Sequence, residues 1–401
     1  MPKKLDICFP LKPFSTLEPL VWQLFAIKLG DNNVWTQPSV DDQCTHIFSI
    51  TSIKDHKRYD YILRVPCPGL LRPLDQGPWK ELWNGPLRPD LTSAVAPLEL
   101  LRTIPKIPSP EVVAFDLTED NPLKWPYAIQ KRIVGQPLTE LYFALPHQLK
   151  CVIARQLGKI VATTLTIRNG WAGRLVLCAE GKRVMVKRID DESQVIPYEI
   201  LDGKPTKDPE STLVRFAAVL RNQLRAWRKK PKDPKSEPQI ENLEKMKEIF
   251  EEMTPWDIWD YTDYCLCHFT LFPNNIMVKG PAEPAISGIL DWDDSFFTPL
   301  WISCAPITWL WKGKSAIEDD TRLYPNEPPT TPEEVELKRI FDKAAGPIYA
   351  RFAYRAQYRL ARELLSFMIF GTHNYERLKW FNSLFDEWAE FNGARMPYVP
   401  F

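Results

Sequence analysis

Between Cys265 and Asp294 the chain reads CLCHFTLFPNNIMVKGPAEPAISGILDWDD, and this stretch constrains the fold more than any other. Ile276 to Lys279 and Ala285 to Leu290 are rich in apolar and β-branched residues. The Gly280-Pro281-Ala282-Glu283-Pro284 passage between them predicts two strands joined by a turn. Folding that hairpin about Glu283 sets Asn275 opposite Asp291 at its open end. An amide oxygen beside a carboxylate suits a hard divalent cation such as magnesium, so Asn275 and Asp291 are the candidate metal ligands. The alternative is structural: Asn275 caps a turn and Asp291 pairs with a surface lysine.

The first third of the chain mixes helix and strand. Leu17, Leu20, Val21, Leu24 and Ile27 share one face of a helix over Ser15 to Leu29, which Gly30 stops. Thr45 to Ile53 and Tyr59 to Val65 predict an antiparallel hairpin around Lys54-Asp55-His56-Lys57. Leu91 to Arg102 is a weaker helix, interrupted by Pro97. Pro126 to Val134 predicts a strand running into Gly135. From about Glu140 helices dominate: Leu149, Val152, Ile153, Leu157, Ile160 and Val161 keep one face. Leu213, Phe216, Leu220, Leu224 and Trp227 do the same, as do Ile240, Leu243, Met246 and Phe250. Arg228 to Pro238 is a solvated basic turn, and Thr331-Pro332-Glu333-Glu334 is a capping box.

Composition sets the outer limits. The 51 basic and 51 acidic side chains cancel, so no overall field points to nucleic acid or an anionic membrane. The chain carries 38 prolines against 16 glycines, which predicts long ordered turns rather than flexible linkers. Of the eight cysteines, only Cys265 and Cys267 are close, and one intervening residue is not the spacing of a zinc knuckle or redox dithiol. Buried free thiols in a reducing compartment are expected. The start of the chain has no apolar run of signal-peptide length, and no stretch approaches a spanning helix. The expected location is the cytoplasm.

His268, Leu271, Asn275 and Asp291-Trp292 resemble the catalytic and metal-binding loops of aminoglycoside-phosphotransferase-like proteins, where H-x-D-L-x-x-x-N is followed by a hairpin and I-D-W. Tyr61-Ile62-Leu63-Arg64-Val65-Pro66 resembles the strand that carries the nucleotide-contacting basic residue, and Tyr127 to Gly135 resembles the interlobe hinge. Asp291 to Asp294 and Trp309-Leu310-Trp311 are similar to a branch common in filamentous fungi. The resemblance covers about residues 40 to 390. It implies an α+β, two-lobed protein-kinase-like fold. A small N-terminal antiparallel-sheet lobe over 1–134 would precede a larger, mainly helical lobe over 135–401, with the catalytic-loop-like hairpin at 265–294.

The departures from that pattern set the functional expectation. Thr270 stands where the family places its catalytic aspartate, and threonine has no ionised acceptor state near neutral pH. Losing a positioned general base costs about 10²–10⁴ in rate. Asp41-Asp42-Gln43-Cys44-Thr45-His46 stands where the family places glycines against phosphate, and two aspartates repel an anion. The basic residue is Arg64 rather than lysine. Its usual glutamate partner aligns with Ala94, and Glu99, the nearest acid, lies roughly 140° round the helix.

These substitutions predict a kinase-shaped cleft turned to a non-phosphoryl acid/base reaction, and the resemblance to the fungal branch implies an isomerisation, cyclisation or elimination on a hydrophobic small molecule of secondary metabolism. His268, Asp291 and Thr270 are its candidate catalytic residues, with no cofactor required. Asp293, Asp294, Trp292 and Trp309 are candidate pocket residues, and Arg64 is the candidate cofactor contact. Bland alternatives stand beside them: His268 bracing its loop, Arg64 in a structural ion pair, Asp293 and Asp294 solvated or paired to basic neighbours, and the tryptophans at 256, 259, 292, 301, 309 and 311 packing the helical lobe. Two further readings remain. One is a magnesium- and ATP-dependent small-molecule phosphotransferase with a displaced base, Asp263 or Asp293. The other is a non-catalytic pseudokinase binding module.

Overall fold

The structure is a computed structural model that describes residues 14–31, 33–38, 45–66, 91–178, 181, 183–188, 195–197, 220–221, 224–225, 228, 236–253, 264–280, 282, 284–313, 328–370 and 375–395. The expected phosphate-loop residues Asp41 to Cys44, and Leu213, Phe216, Trp227, Trp256, Trp259 and Asp263, lie outside these. So does most of the Arg228 to Pro238 turn.

The chain begins with α1 (Phe14–Leu29), then β1 (Val34–Pro38), β2 (Thr45–Lys54), β3 (Lys57–Pro66), α2 (Leu91–Leu101), β4 (Val112–Asp116) and β5 (Tyr127–Lys131). The five strands form one antiparallel sheet in the order β1-β2-β3-β5-β4. Between β2 and β3, Asp55 and His56 both take left-handed backbone (φ 51° and 59°), the pair of angles whose twist matches a two-residue hairpin. On β3 the two-residue period sends Leu63 and Val65 inward. There they meet Phe48, Ile50 and Ile129, and α1 covers them with Leu17, Val21, Leu24 and Phe25. Each such side chain contributes roughly 1.5–3 kcal/mol of transfer energy before entropy is charged. The same period turns Arg64 to the opposite face.

The second lobe comprises β6 (Gln136–Pro137), α3 (His147–Thr164), β7 (Arg168–Asn169), β8 (Gly173–Leu177), β9 (Val184–Arg188), β10 (Val195–Pro197) and α4 (Ser236–Met253). It continues with β11 (Tyr264–His268), β12 (Ile276–Lys279), β13 (Ala285–Ile289), β14 (Ser295–Pro299), α5 (Leu300–Ser303), α6 (Trp309–Lys312), α7 (Pro332–Tyr354), α8 (Ala356–Phe370) and α9 (Tyr375–Arg395). Its sheet content exceeds the helical expectation. Six strands run in the order β10-β9-β8-β14-β11-β7, and β13-β12-β6 form a third sheet. The short runs GRLVL and VMVKR are too brief to announce themselves as strands without their partners. The capping box forms as expected: Thr331 Oγ1 accepts from the Glu334 N–H, and the Glu334 carboxylate reaches back to the Thr331 backbone N–H.

Two connections fix the lobes to one another. The buried face of α2, expected with the first lobe, joins the large core that includes Leu175, Leu177 and Val186 of the second. Gly135 in the hinge has φ +138°, and a Cβ there would lie 2.5 Å from the Val278 carbonyl oxygen, so the hinge backbone runs directly against β12. The result is a two-lobed α+β fold. Among the described residues no helix is long and apolar enough to cross a membrane.

Candidate functional site

The site is assembled on the chain between β11 and β14. After β11 the chain passes through Thr270 to a turn of 3₁₀ helix at Pro273–Asn275, where proline at its first position needs no N–H partner. Asn275 is buried. Its Nδ2 donates to the Thr270 carbonyl at 2.8 Å, and its backbone carbonyl accepts from the Leu290 N–H at 2.7 Å. The Leu290 carbonyl in turn accepts from His268 Nε2 at 2.7 Å. Both polar groups of the peptide unit's residue 290 are therefore held, and Asp291 follows from a fixed point.

Asp291 itself sits in left-handed backbone (φ 60°, ψ 52°), which aspartate tolerates better than most side chains. Non-glycine residues in this region cluster at functional positions because surrounding bonds must hold them there. Its Oδ2 lies 3.4 Å from Asn275 Nδ2 and 3.4 Å from Thr270 Oγ1. The pair expected from the hairpin is thus brought together, but with a corrected register. Asn275 is level with Leu290, not Asp291. Pairing starts at Lys279↔Ala285, around a turn centred one residue before Glu283, which alone would set Asn275 opposite Ile289. A bulge between Met277 and Val278 recovers one position through Met277↔Gly288 and Ile276↔Ile289.

Beyond Asp291, residues Trp292–Asp294 make a second 3₁₀ turn, closed by Ser295 Oγ donating to the Trp292 carbonyl at 2.6 Å. Asp293 is 8% exposed and meets Arg64 of β3 in a two-pronged ion pair, Nη1–Oδ1 2.8 Å and Nη2–Oδ2 2.6 Å. Sequence reasoning left Arg64 without a glutamate partner. Ala94 is indeed a buried alanine of α2, and Glu99 pairs with Arg102 at 3.0 Å. The second acid of Asp291-Trp292-Asp293 takes the role instead, as the expectation of a basic neighbour for Asp293 allowed. The Asp294 side chain lies outside the described residues.

Several candidates are corrected by burial. Trp292 and Trp309 are core side chains rather than pocket walls. The Trp292 indole N–H donates to the Ile289 carbonyl at 2.9 Å, and the Trp309 indole N–H to the Leu271 carbonyl at 3.1 Å. Trp292 also meets the His268 ring edge-on at 4.6 Å between centroids. His268 therefore braces the turn, with Nε2 committed to a backbone carbonyl rather than presented to a substrate. The neighbouring thiols are inert packing. Burial pushes Cys265 up to about 12 and Cys267 up to about 11.

The residues present fit a magnesium ion. Because Asn275 Nδ2 is spent on the Thr270 carbonyl, its Oδ1 is turned away from that bond, and its contact is the Asn274 amide at 3.2 Å. An amide oxygen and the Asp291 carboxylate are the hard donors such an ion takes.

With that geometry in hand, the family follows from the sequence comparison. The phosphotransferase enzyme family, APH, matches residues 53–318, over half of the chain and the whole of the site. The chain belongs to this family. Its fold is accordingly the kinase-like one. No curated protein matches it. Among solved structures it is similar to an ethanolamine kinase from Plasmodium vivax, at 12% identity and TM-score 0.49 over 96% of this chain and 91% of that one. It is also similar to a choline kinase from Cryptosporidium parvum, at 11% identity and TM-score 0.44 over 94% and 96%. A third is an aminoglycoside phosphotransferase from Alicyclobacillus acidocaldarius, at 12% and 0.37 over 89% of each. With TM-scores below 0.5, these likenesses carry no weight for substrate or reaction.

Proposed function

We propose that the protein is a magnesium- and ATP-dependent phosphotransferase acting on a small molecule, with a catalytic loop that relies on positioning rather than on a carboxylate base. The observation that carries this reading is the placement of Asp291. It is held in left-handed backbone beside Asn275, on the loop whose next turn is bonded to Arg64. Family membership supports it over the non-phosphoryl reaction expected from the substitutions alone.

Asn275 Oδ1 and the Asp291 carboxylate would hold the metal, which supplies charge neutralisation at the nucleotide phosphates. Arg64 offers a planar, permanently charged fork to phosphate oxygens. Thr270 occupies the base position and can orient an acceptor hydroxyl without taking its proton. The acceptor oxygen bonds the γ-phosphorus, the bond to the ADP oxygen breaks, and the acceptor proton passes to solvent. Such a transfer asks mainly for alignment, because its transition state is loose. Of the two displaced bases considered, Asp293 has both oxygens bonded to Arg64.

The test is ADP release from ATP and magnesium across a panel of small alcohols and amines. An acceptor-dependent rate that disappears in Asp291→Asn supports the proposal. A second reading, a cleft turned to acid/base chemistry without ATP, draws on Thr270 and on the engagement of Arg64 by Asp293. Acceptor turnover that needs no ATP would favour it.

A further inference from the structure

Away from this site, α3 and α7 lie side by side in the same direction. They come so close that a Cβ on Gly158 would stand 2.7 Å from both Ala344 Cβ and the Phe341 carbonyl oxygen. Near their N-terminal ends, His147 and Cys151 occupy one face of α3, four residues apart, and face Glu336 of α7. His147 Nε2 is 2.9 Å from Glu336 Oε2 and 3.5 Å from Cys151 Sγ, and the three donor atoms all lie within 4.8 Å of one another. Bonds of about 2.0–2.3 Å in tetrahedral geometry set ligand atoms roughly 3.3–3.8 Å apart. The three atoms need only small rotations to reach that spacing.

The surroundings are those of a ligand set rather than a surface ion pair alone. The other ring nitrogen, Nδ1, is buried and makes no hydrogen bond, and Glu333 Oε2 stands 4.0 Å from it. A carboxylate behind the second nitrogen is the usual partner of a metal-bound histidine, fixing its tautomer and orientation. Arg339 faces the other oxygen of Glu336 at 4.0 Å, which leaves Oε2 directed at the histidine.

We propose that His147, Cys151 and Glu336 form a binding site for a borderline divalent cation of the zinc type, stapling α3 to α7. One imidazole, one thiolate and one carboxylate are the mixed donor set zinc accepts, whereas magnesium and calcium take oxygen alone. Both helices are packed rigidly, so the donors need no large rearrangement on binding. Nothing in the site depends on the phosphotransferase reading.

The test titrates cobalt(II), the spectroscopic stand-in for zinc, into the full chain. Sulfur-to-cobalt charge-transfer absorption should appear near one equivalent and be displaced by zinc. It should vanish in Cys151→Ser, and affinity should fall at least about 10-fold in His147→Gln and in Glu336→Gln. Circular dichroism and thermal unfolding of each variant establish that it is folded. If Cys151→Ser fails to fold, His147→Gln carries the same comparison. No absorption with cobalt in excess on folded protein would overturn the proposal. So would absorption that survives Cys151→Ser, which would assign the metal to another of the chain's eight cysteines.

Discussion

Arg64 and Asp293, 229 positions apart in sequence, are joined by two hydrogen bonds of 2.8 and 2.6 Å. The pair fastens β3 of the small lobe to the turn that follows Asp291, so the same arginine that resembles a nucleotide contact is also a clasp between lobes. A nucleotide phosphate reaching Arg64 has to share it with Asp293.

Removing the carboxylate should therefore be felt by the whole fold. The two side chains are 13% and 11% exposed, and truncating one partner of a largely buried pair costs about 3 kcal/mol. Urea unfolding of Asp293→Ala should show a lower midpoint at unchanged slope. A midpoint equal to wild type would mean that the clasp is solvated and adds nothing.

The left-handed backbone at residue 291 predicts an order among substitutions. Asp291→Gly relieves the conformation, while Asp291→Ala keeps a Cβ in it and should be less stable than the glycine variant by about 1–2 kcal/mol. Side-by-side chemical denaturation reads this difference. Alanine matching glycine would contradict the constraint.

Placing a carboxylate at position 270 is a gain-of-function test of the proposed reading. In Thr270→Asp the new carboxylate stands in the loop position of a proton acceptor, and acceptor-dependent ADP release should rise by about 10²-fold or more. An unchanged rate in folded protein would show that the base was replaced elsewhere in the cleft.

The capping box gives a pH signature. Burial pushes the Glu334 carboxyl up, but hydrogen bonds from Thr330 and Thr331 together with Lys312 outweigh it and hold the group below its ordinary value. A carboxyl depressed in the fold stabilises it above the unfolded pKa of about 4.3 and loses that contribution as pH falls through the folded value. Glu334→Gln should thus lower stability at pH 7 and flatten its decline below about pH 4. Equal acid limbs in the two proteins would contradict this.

Local grammar was legible in the sequence. The α1 helix, the β2–β3 hairpin, the Thr331–Glu334 box and the β12–β13 strands each rest on neighbours a few residues apart, and each appears within two residues of its expected bounds. What depended on distant partners was not. The centre of the turn and the bulge beside Met277 are both set by how the two strands pair, so Asn275 is level with Leu290 rather than Asp291. Trp292 and Trp309 carry a polar edge that suits a pocket or a core equally well, and only the carbonyls of Ile289 and Leu271 decide it. Asp293 was open to a basic partner, but nothing local pointed to Arg64. Glu336, 189 residues from His147, could not be joined to it by spacing.

Thermal unfolding with and without ATP and magnesium, on wild type and on Asp291→Asn, tests the central claim most directly. Nucleotide at about 100 times its dissociation constant stabilises by about 2.7 kcal/mol, a clear rise in midpoint. The phosphotransferase reading predicts that rise in wild type only when ATP and magnesium are both present, and its loss in Asp291→Asn. No rise at any concentration, or the same rise in the variant, would contradict it.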